Sequence, residues 1–294
     1  MWTGIRVLDG LITIGRGARV GIFGAPGAGK TFLLEWLVDA CEADAVVVAL
    51  VGERGREAQQ WIARCDERTT IVCATSDRPP KERFVAACVA TAHARALRER
   101  GLHVLLVIDS LARVAAAARE LAVASGESTG RGGYPPSVFA ELARLVEVAG
   151  AVAFGSITLV ASVLSDGEER DPVSDAARSL LDGHIALSAE LAQAGRFPAV
   201  DVLGSTSRTM QMVVGEAHLH HSRTLRRMLS LLERVRDARS LGIDPVERAA
   251  RAAIALEGSI ESFLRQQRSR CYCDETLSQL ARIGEAAEKE CGDS

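Results

Sequence analysis

The run Gly24-Ala-Pro-Gly-Ala-Gly-Lys30-Thr31 restricts this chain more than any other stretch. It satisfies the G-x-x-x-x-G-K-[ST] phosphate-binding pattern and has the flanks that pattern needs. Arg19-Val-Gly-Ile-Phe23 before it is a short apolar run, the expected end of a buried strand. After it, Phe32, Leu33, Trp36, Leu37 and Ala40 recur at helical spacing. Glycines let backbone N–H groups curl around a phosphate without Cβ clashes, and the helix N-terminus faces the same anion. In such a loop Lys30 reaches the β- and γ-phosphates, and the Thr31 hydroxyl takes a place on Mg²⁺. The pattern therefore implies a bound nucleoside triphosphate, with Gly24, Gly27, Ala28, Gly29, Lys30, Thr31 and Phe32 as its contacting positions.

Composition sets the frame around this loop. A chain of 294 residues, 48% apolar and 25% charged, has room for one large domain or one domain plus a smaller module. A net charge of −3 offers no basic field for nucleic acid. No segment approaches the ~20 uninterrupted apolar residues of a membrane span, and the N-terminus lacks signal-peptide architecture. Membrane association is expected to be peripheral or through a partner. The seven cysteines are odd in number and scattered, so a reduced, cytosolic setting without a structural metal is expected. Cys41, Cys73 and Cys88 lie in apolar surroundings and read as small core residues. Cys271, Cys273 and Cys291 lack a convincing fourth ligand for zinc.

Downstream of the loop, Ala45–Val51 is an all-apolar run suited to a parallel strand covered on both faces. It opens directly into Gly52-Glu53-Arg54-Gly55-Arg56-Glu57. Ligands in open parallel sheets bind beyond the carboxyl ends of strands, so this burst of charge is placed to meet phosphates. Thr69–Thr75 predicts a third strand, stopped by Ser76-Asp-Arg-Pro-Pro80, and Glu82–Arg100 a helix ended by Gly101. His103-Val-Leu-Leu-Val-Ile-Asp109 is a fourth strand ending in a carboxylate, the form of a Walker B element whose Asp109 serves Mg²⁺ through its water shell. Helices are expected over Leu111–Ala124 and Val138–Ala149, separated by the Gly/Ser/Pro-rich loop Ser125–Ser137. Strands follow at Ser156–Ser162 and His184–Ser188, with the acidic loop Ser165–Pro172 between them. Alternating strands and helices predict an α/β fold with a right-handed, mostly parallel central sheet. Phe197–Arg208 closes the region with a proline and a polar run.

Beyond Gly215 no strand-like run occurs. Leu225, Met228, Leu229 and Leu232 recur at helical spacing, and Asp244-Pro245-Val-Glu247 reads as a helix start with an N-cap and a proline at the first turn. The chain thus divides into a P-loop domain, 1–215, and a small C-terminal all-helical domain, 216–294. His218, His220 and His221 stand where the helical part begins. No carboxylate cluster accompanies them in the sequence, and they read as a solvated helix end.

Taken in order, these stretches resemble the ATPases of type III secretion systems and flagellar export, relatives of the catalytic subunits of rotary ATP synthases. The resemblance runs from Thr3 to the helical end. It rests most on Val51-Gly-Glu-Arg-Gly-Arg-Glu57, Ala74–Pro80, Leu106–Arg113, Gly133–Phe139, Leu181–Ile185 and Phe197–Asp201. It implies a RecA-like P-loop domain using ATP and Mg²⁺. Glu53 matches the carboxylate that polarises the attacking water; a base at the end of the strand beside the P-loop strand can face the γ-phosphate. Glu57 and Asp109 match carboxylates on the Mg²⁺ water shell, and Arg54 and Arg113 match arginines around the γ-phosphate. Phe197 holds the place of a ring against adenine, and Arg208 that of the arginine finger a neighbouring subunit inserts. The family implies a homohexamer working with a central stalk protein, a peripheral stator protein, the export gate and chaperone–effector complexes. Its place would be the cytoplasmic face of the inner membrane. Family members carry a β-barrel before the ATPase domain, and this chain begins at its threshold, which sets assembly apart from folding as an expectation. The Ser125–Ser137 and Ser165–Pro172 loops are expected to face the central channel, with Glu168 and Glu169 meeting the stalk.

Three other readings compete. A rotary ATP synthase subunit shares the nucleotide site, but the Gly-Glu-Arg-Gly-Arg-Glu form and Gly133-Tyr-Pro-Pro-Ser-Val-Phe139 lean towards secretion. A ring-shaped RNA helicase would need a basic pore, and the charge balance offers none. A nucleotide-gated docking scaffold would not require Lys30, Glu53, Asp109 and Arg208 together. A GTPase is excluded because the chain has no Asn and no Thr-Lys pair for guanine selection.

Overall fold

The structure is a computed structural model of the chain and describes residues 1–164, 171–241 and 245–292. Its centre is an eight-stranded sheet. The strands are β1 (Arg19–Gly24), β2 (Ala45–Val51), β3 (Thr69–Ala74), β4 (His103–Asp109), β5 (Gly150–Val152), β6 (Gly155–Leu164), β7 (Gly183–Leu187) and β8 (Val200–Ser207). Their order is β3-β2-β4-β6-β1-β7-β8, with β5 paired antiparallel to β6. Pairing is parallel from β3 through β7, and β8 closes the sheet antiparallel to β7. The mostly parallel α/β expectation is met.

Side-chain alternation explains why β2 reads as an unbroken apolar run. Val46, Val48 and Leu50 enter one core while Val47, Ala49 and Val51 enter another on the opposite face. The first core packs under α1 (Arg6–Leu11), α2 (Lys30–Ala40) and α3 (Gly55–Ile62). The second packs under α4 (Pro80–Glu99), α5 (Leu111–Ala124), α6 (Pro136–Val146) and α7 (Pro172–Leu180). Short helices α8 (Ala189–Gln193) and α9 (Met210–Val213) flank β8. The C-terminal part is all helical: α10 (Glu216–Ser240), α11 (Arg248–Leu264) and α12 (Cys273–Cys291). Its apolar faces join the first core through Leu225, Ile260, Phe263 and Leu280, which share one cluster with Leu8 and Leu34.

Several expectations are corrected. The helix foreseen to Ala149 stops at Val146, because Gly150–Val152 forms a hairpin with β6. Cys73 is exposed, since β3 is an edge strand, and Cys88 is only half-buried. The helix foreseen from Asp244-Pro245 begins at Arg248, with Glu247 as its N-cap; Asp244 itself lies outside the described residues. Helix α1 carries no periodic signal long enough to be foreseen. Glu168 and Glu169, expected to meet a stalk, lie outside the described residues. The histidines at the start of α10 do gain a carboxylate: α12 packs against α10 and brings Glu288 into hydrogen-bond contact with His220. No helix among the described residues is long and apolar enough to cross a membrane.

Asp9 on α1 is the most deeply buried carboxylate outside the cleft. It accepts hydrogen bonds from the Thr3 N–H (2.8 Å), the Thr3 hydroxyl (2.8 Å) and the Gly4 N–H (2.9 Å), folding residues 1–5 back onto the helix. Burial outweighs these donors and pushes its pKa up to about 6, from 3.8 when exposed. The folded state therefore binds this proton more tightly than the unfolded chain. That contribution is complete below about pH 3.8 and is lost as pH rises through about 6. Urea unfolding followed by fluorescence of the buried Trp36 is expected to show a loss of stability between pH 4 and 7 that Asp9→Asn flattens.

Candidate active site

The carboxyl ends of β1, β6, β4 and β2 open on one cleft of about 520 Å³. The phosphate loop leaves β1 at Gly24 and turns into α2 through Gly29, whose φ of +96° is left-handed and open to glycine at little strain. A Cβ there would meet nothing within 4 Å, so the space over the loop backbone is free for a phosphate. Gly27, Lys30, Thr31 and Phe32 line the cleft. Ala28 is fully buried beneath the loop, which leaves only its backbone to face a ligand. Lys30 Nζ donates to the carbonyls of Gly24 (2.6 Å) and Ala25 (2.8 Å), spanning the loop it must serve.

Glu53 and Asp109 are buried and line the same cleft with Glu57. One expectation of placement fails: β2, which delivers Glu53, is not beside β1, because β6 and β4 intervene. Glu53 reaches the cleft by another route. Gly52 turns the chain at a φ of +69°, and Arg113 on the first turn of α5 crosses so closely that a Cβ on Gly52 would lie 3.2 Å from its Cδ. The Arg113 guanidinium then pairs directly with the Glu53 carboxylate. Burial lowers the Arg113 pKa. Asp109 follows the opposite sense: burial is the largest effect and raises its pKa, against the Ser162 hydroxyl that donates to it and the nearby Lys30 charge.

Ser162 is the site residue that sequence reasoning missed. It sits near the carboxyl end of β6, between the strands of Asp109 and the phosphate loop. Its hydroxyl falls at the carboxyl end of β6, where ligands of parallel sheets bind, and that position is the signal that could have marked it. The donor set fits Mg²⁺: a hydroxyl from Thr31 with carboxylates from Asp109 and Glu57 is the hard-oxygen chemistry that cation selects.

The remaining candidates lie elsewhere. Arg54 is exposed at the N-cap of α3 and outside the cleft lining. Phe197 is 41% exposed and meets Phe32 edge-on at a centroid distance of 5.8 Å, which places it beside the cleft mouth. Arg208 is exposed just past β8. Ser207 is level with Gly183 and Gly183 with Val20, so Arg208 lies four strand residues or more below Gly24. At ~3.3 Å per residue this is roughly 13 Å along the strands alone, and β8 also stands two strands aside from β1.

A phosphate loop on an inner strand of a parallel sheet, with carboxylates at the ends of further strands, is the build of RecA-like P-loop nucleotide-binding proteins. Residues 4–207 match the family model described as ATP synthase alpha/beta family, nucleotide-binding domain, and the chain belongs to that family. It is similar to the type 3 secretion system ATPase of Pseudomonas syringae pv. tomato, 46% identical over 293 residues, covering 96% of this chain and 65% of that protein. It is also similar to the flagellum-specific ATP synthase of Salmonella typhimurium, 43% identical over 277 residues, covering 90% of this chain and 60% of that one. Among solved structures, the assembled ATPase EscN of enteropathogenic E. coli, in complex with its central stalk EscO, superposes with a TM-score of 0.91. It is 39% identical, over 96% of this chain and 70% of that one. The chain thus spans under two thirds of the length of these two curated relatives.

Ser162→Ala is expected to weaken ATP binding in the presence of Mg²⁺ by roughly ten- to a hundredfold, since a hydrogen bond to a charged acceptor contributes ~1.5–3 kcal/mol. Binding in chelator should change little. Titration with a fluorescent ATP analogue in both buffers checks the pair of outcomes.

Proposed function

We propose that the chain is the ATP-hydrolysing part of a type III protein-secretion ATPase, its turnover driving chaperone release and unfolding of export substrates at the export gate. The observation that carries this reading is the division of the catalytic set. Lys30, Thr31, Glu53 and Asp109 converge on one cleft, whereas Arg208 stands at the far edge of the same sheet. A chain built this way completes its chemistry with a second copy. The division at residue 215, with a P-loop domain before it and a helical domain after it, belongs to this proposal.

In the mechanism, Lys30 and the loop N–H groups bind the β- and γ-phosphates, and Phe197 with Phe32 offers a π face to adenine. Thr31, Asp109 and Glu57 would hold Mg²⁺, which would supply neutralisation of phosphate charge. Glu53 orients the attacking water and accepts its proton. Its pairing with Arg113 holds the carboxylate in place until a γ-phosphate competes for the guanidinium. Arg208 reaches the nucleotide of the next subunit and spreads the charge of the transition state. Arg54, exposed at the N-cap of α3 directly after Glu53, serves the γ-phosphate alongside Arg113. The assembly is a homohexamer with a central stalk and a peripheral stator, brought to the cytoplasmic face of the inner membrane by partners.

Glu53→Gln is expected to bind ATP with Mg²⁺ nearly as wild type and to hydrolyse it ~10²–10⁴ times more slowly. Steady-state turnover above about a tenth of wild type would remove Glu53 from the role of base. Wild-type activity per mole should rise with protein concentration, and Arg208→Ala should abolish that rise without changing nucleotide affinity. Mixing Arg208→Ala with Lys30→Ala should restore part of the activity, because one interface then pairs an intact loop with an intact finger. Strictly linear turnover in a sample shown to be monomeric by light scattering would mean that Arg208 does not act in trans.

A further inference from the structure

The face between α10 and α12 carries a second cluster of ligating side chains, remote in sequence from the phosphate loop. Adjacent residues on a helix normally diverge, yet His220 and His221 both address α12. His221 lies over Gly284, where a Cβ would collide with its Nδ1. His220 reaches Glu288, one turn further on the same face of α12. The two rings stand 5.4 Å apart at 66°. One ring nitrogen from each histidine and one carboxylate oxygen of Glu288 fall within 4.8 Å of one another.

A second observation points to a missing partner. His221 Nδ1 is buried and makes no hydrogen bond, a state that a buried polar nitrogen does not ordinarily adopt. A cavity of about 450 Å³ opens beside the cluster, lined by His220, Glu288, Cys291 and Arg227. Two imidazoles and a carboxylate, with a thiol in the same cavity, form the donor set of zinc-class transition metals rather than of Mg²⁺ or Ca²⁺. Arg227 also lines the cavity, and its charge opposes cation binding.

We propose that His220, His221 and Glu288 form a transition-metal site of the zinc class that clamps α10 to α12. The metal takes the place of the hydrogen bond between His220 and Glu288, with both groups as ligands in its stead. It leaves one tetrahedral position open to solvent. Because α10 and α12 come together only in the folded chain, occupancy stabilises the helical end and leaves the nucleotide cleft untouched.

The test uses the full chain, stripped with chelator and kept in excess Mg²⁺ so that the hard-oxygen cleft is not counted. Calorimetric titration with Zn²⁺ should give one ion per chain, and the thermal midpoint should rise with Zn²⁺. Co²⁺ as a probe should give the visible bands of four-coordinate nitrogen and oxygen ligation. His220→Ala and the near-isosteric Glu288→Gln should each weaken Zn²⁺ by at least tenfold and remove the thermal response. Circular dichroism and Mg²⁺–nucleotide titration should show both variants folded. Absence of a Zn²⁺ response in the wild type would overturn the site, as would undiminished binding in the folded Glu288→Gln variant, which would place the ion on other residues.

Discussion

Everything at the cleft depends on four parallel strands being held in register by cores on both faces. β1, β6, β4 and β2 cannot slide by one residue without turning Val46, Val48 and Leu50 out of one core and Val47 and Ala49 out of the other. Their carboxyl ends are therefore fixed in height, and the phosphate loop, Ser162, Asp109 and Glu53 inherit that alignment. Position is supplied by apolar side chains that never touch the ligand.

The helix that follows the loop extends this constraint to the other end of the molecule. Arg268 spans Glu35 (2.8 Å) and Asp39 (2.7 Å) on α2, and Arg64, just past the end of α3, takes the same two carboxylates. The indole of Trp36, itself buried, donates to the Ser269 carbonyl, and Arg268 also covers the Phe32 ring. Single exposed ion pairs contribute ~1 kcal/mol or less, but here two arginines share two acids over a buried aromatic anchor. The helix that begins at Lys30 is thereby tied to the segment joining α11 to α12, so force at one end has a physical path to the other.

Electrostatically the charged groups of the cleft already have local partners. Asp109 is buried with a raised pKa, Glu53 is neutralised by an arginine, and Lys30 rests on loop carbonyls. Each arrangement offsets desolvation with a local partner. Lys30, Asp109 and Glu53 thus do not stand in the cleft as bare buried charges.

How much of this was legible in the sequence follows from the range of each signal. The phosphate loop, the strand ending at Asp109, the charged turn at Glu53 and the helical C-terminal end are local patterns of glycine, periodicity and strand-end charge, and they were readable residue by residue. Strand order was not, since it depends on which crossover packs where; β6 and β4 therefore stand between β1 and the strand of Glu53. Ser162 escaped notice because its meaning comes from Asp109 on the neighbouring strand, 53 residues away. His220 and Glu288 are 68 residues apart and meet only because α12 packs on α10. The edge position that exposes Cys73 and the hairpin that cut short α6 have the same origin. The sequence by itself determined the chemistry available at each strand end, because backbone conformation and side-chain type act locally. Which of those ends face one another, and which histidine finds a carboxylate, was decided by tertiary packing, because contacts between distant segments leave no periodic mark on either one.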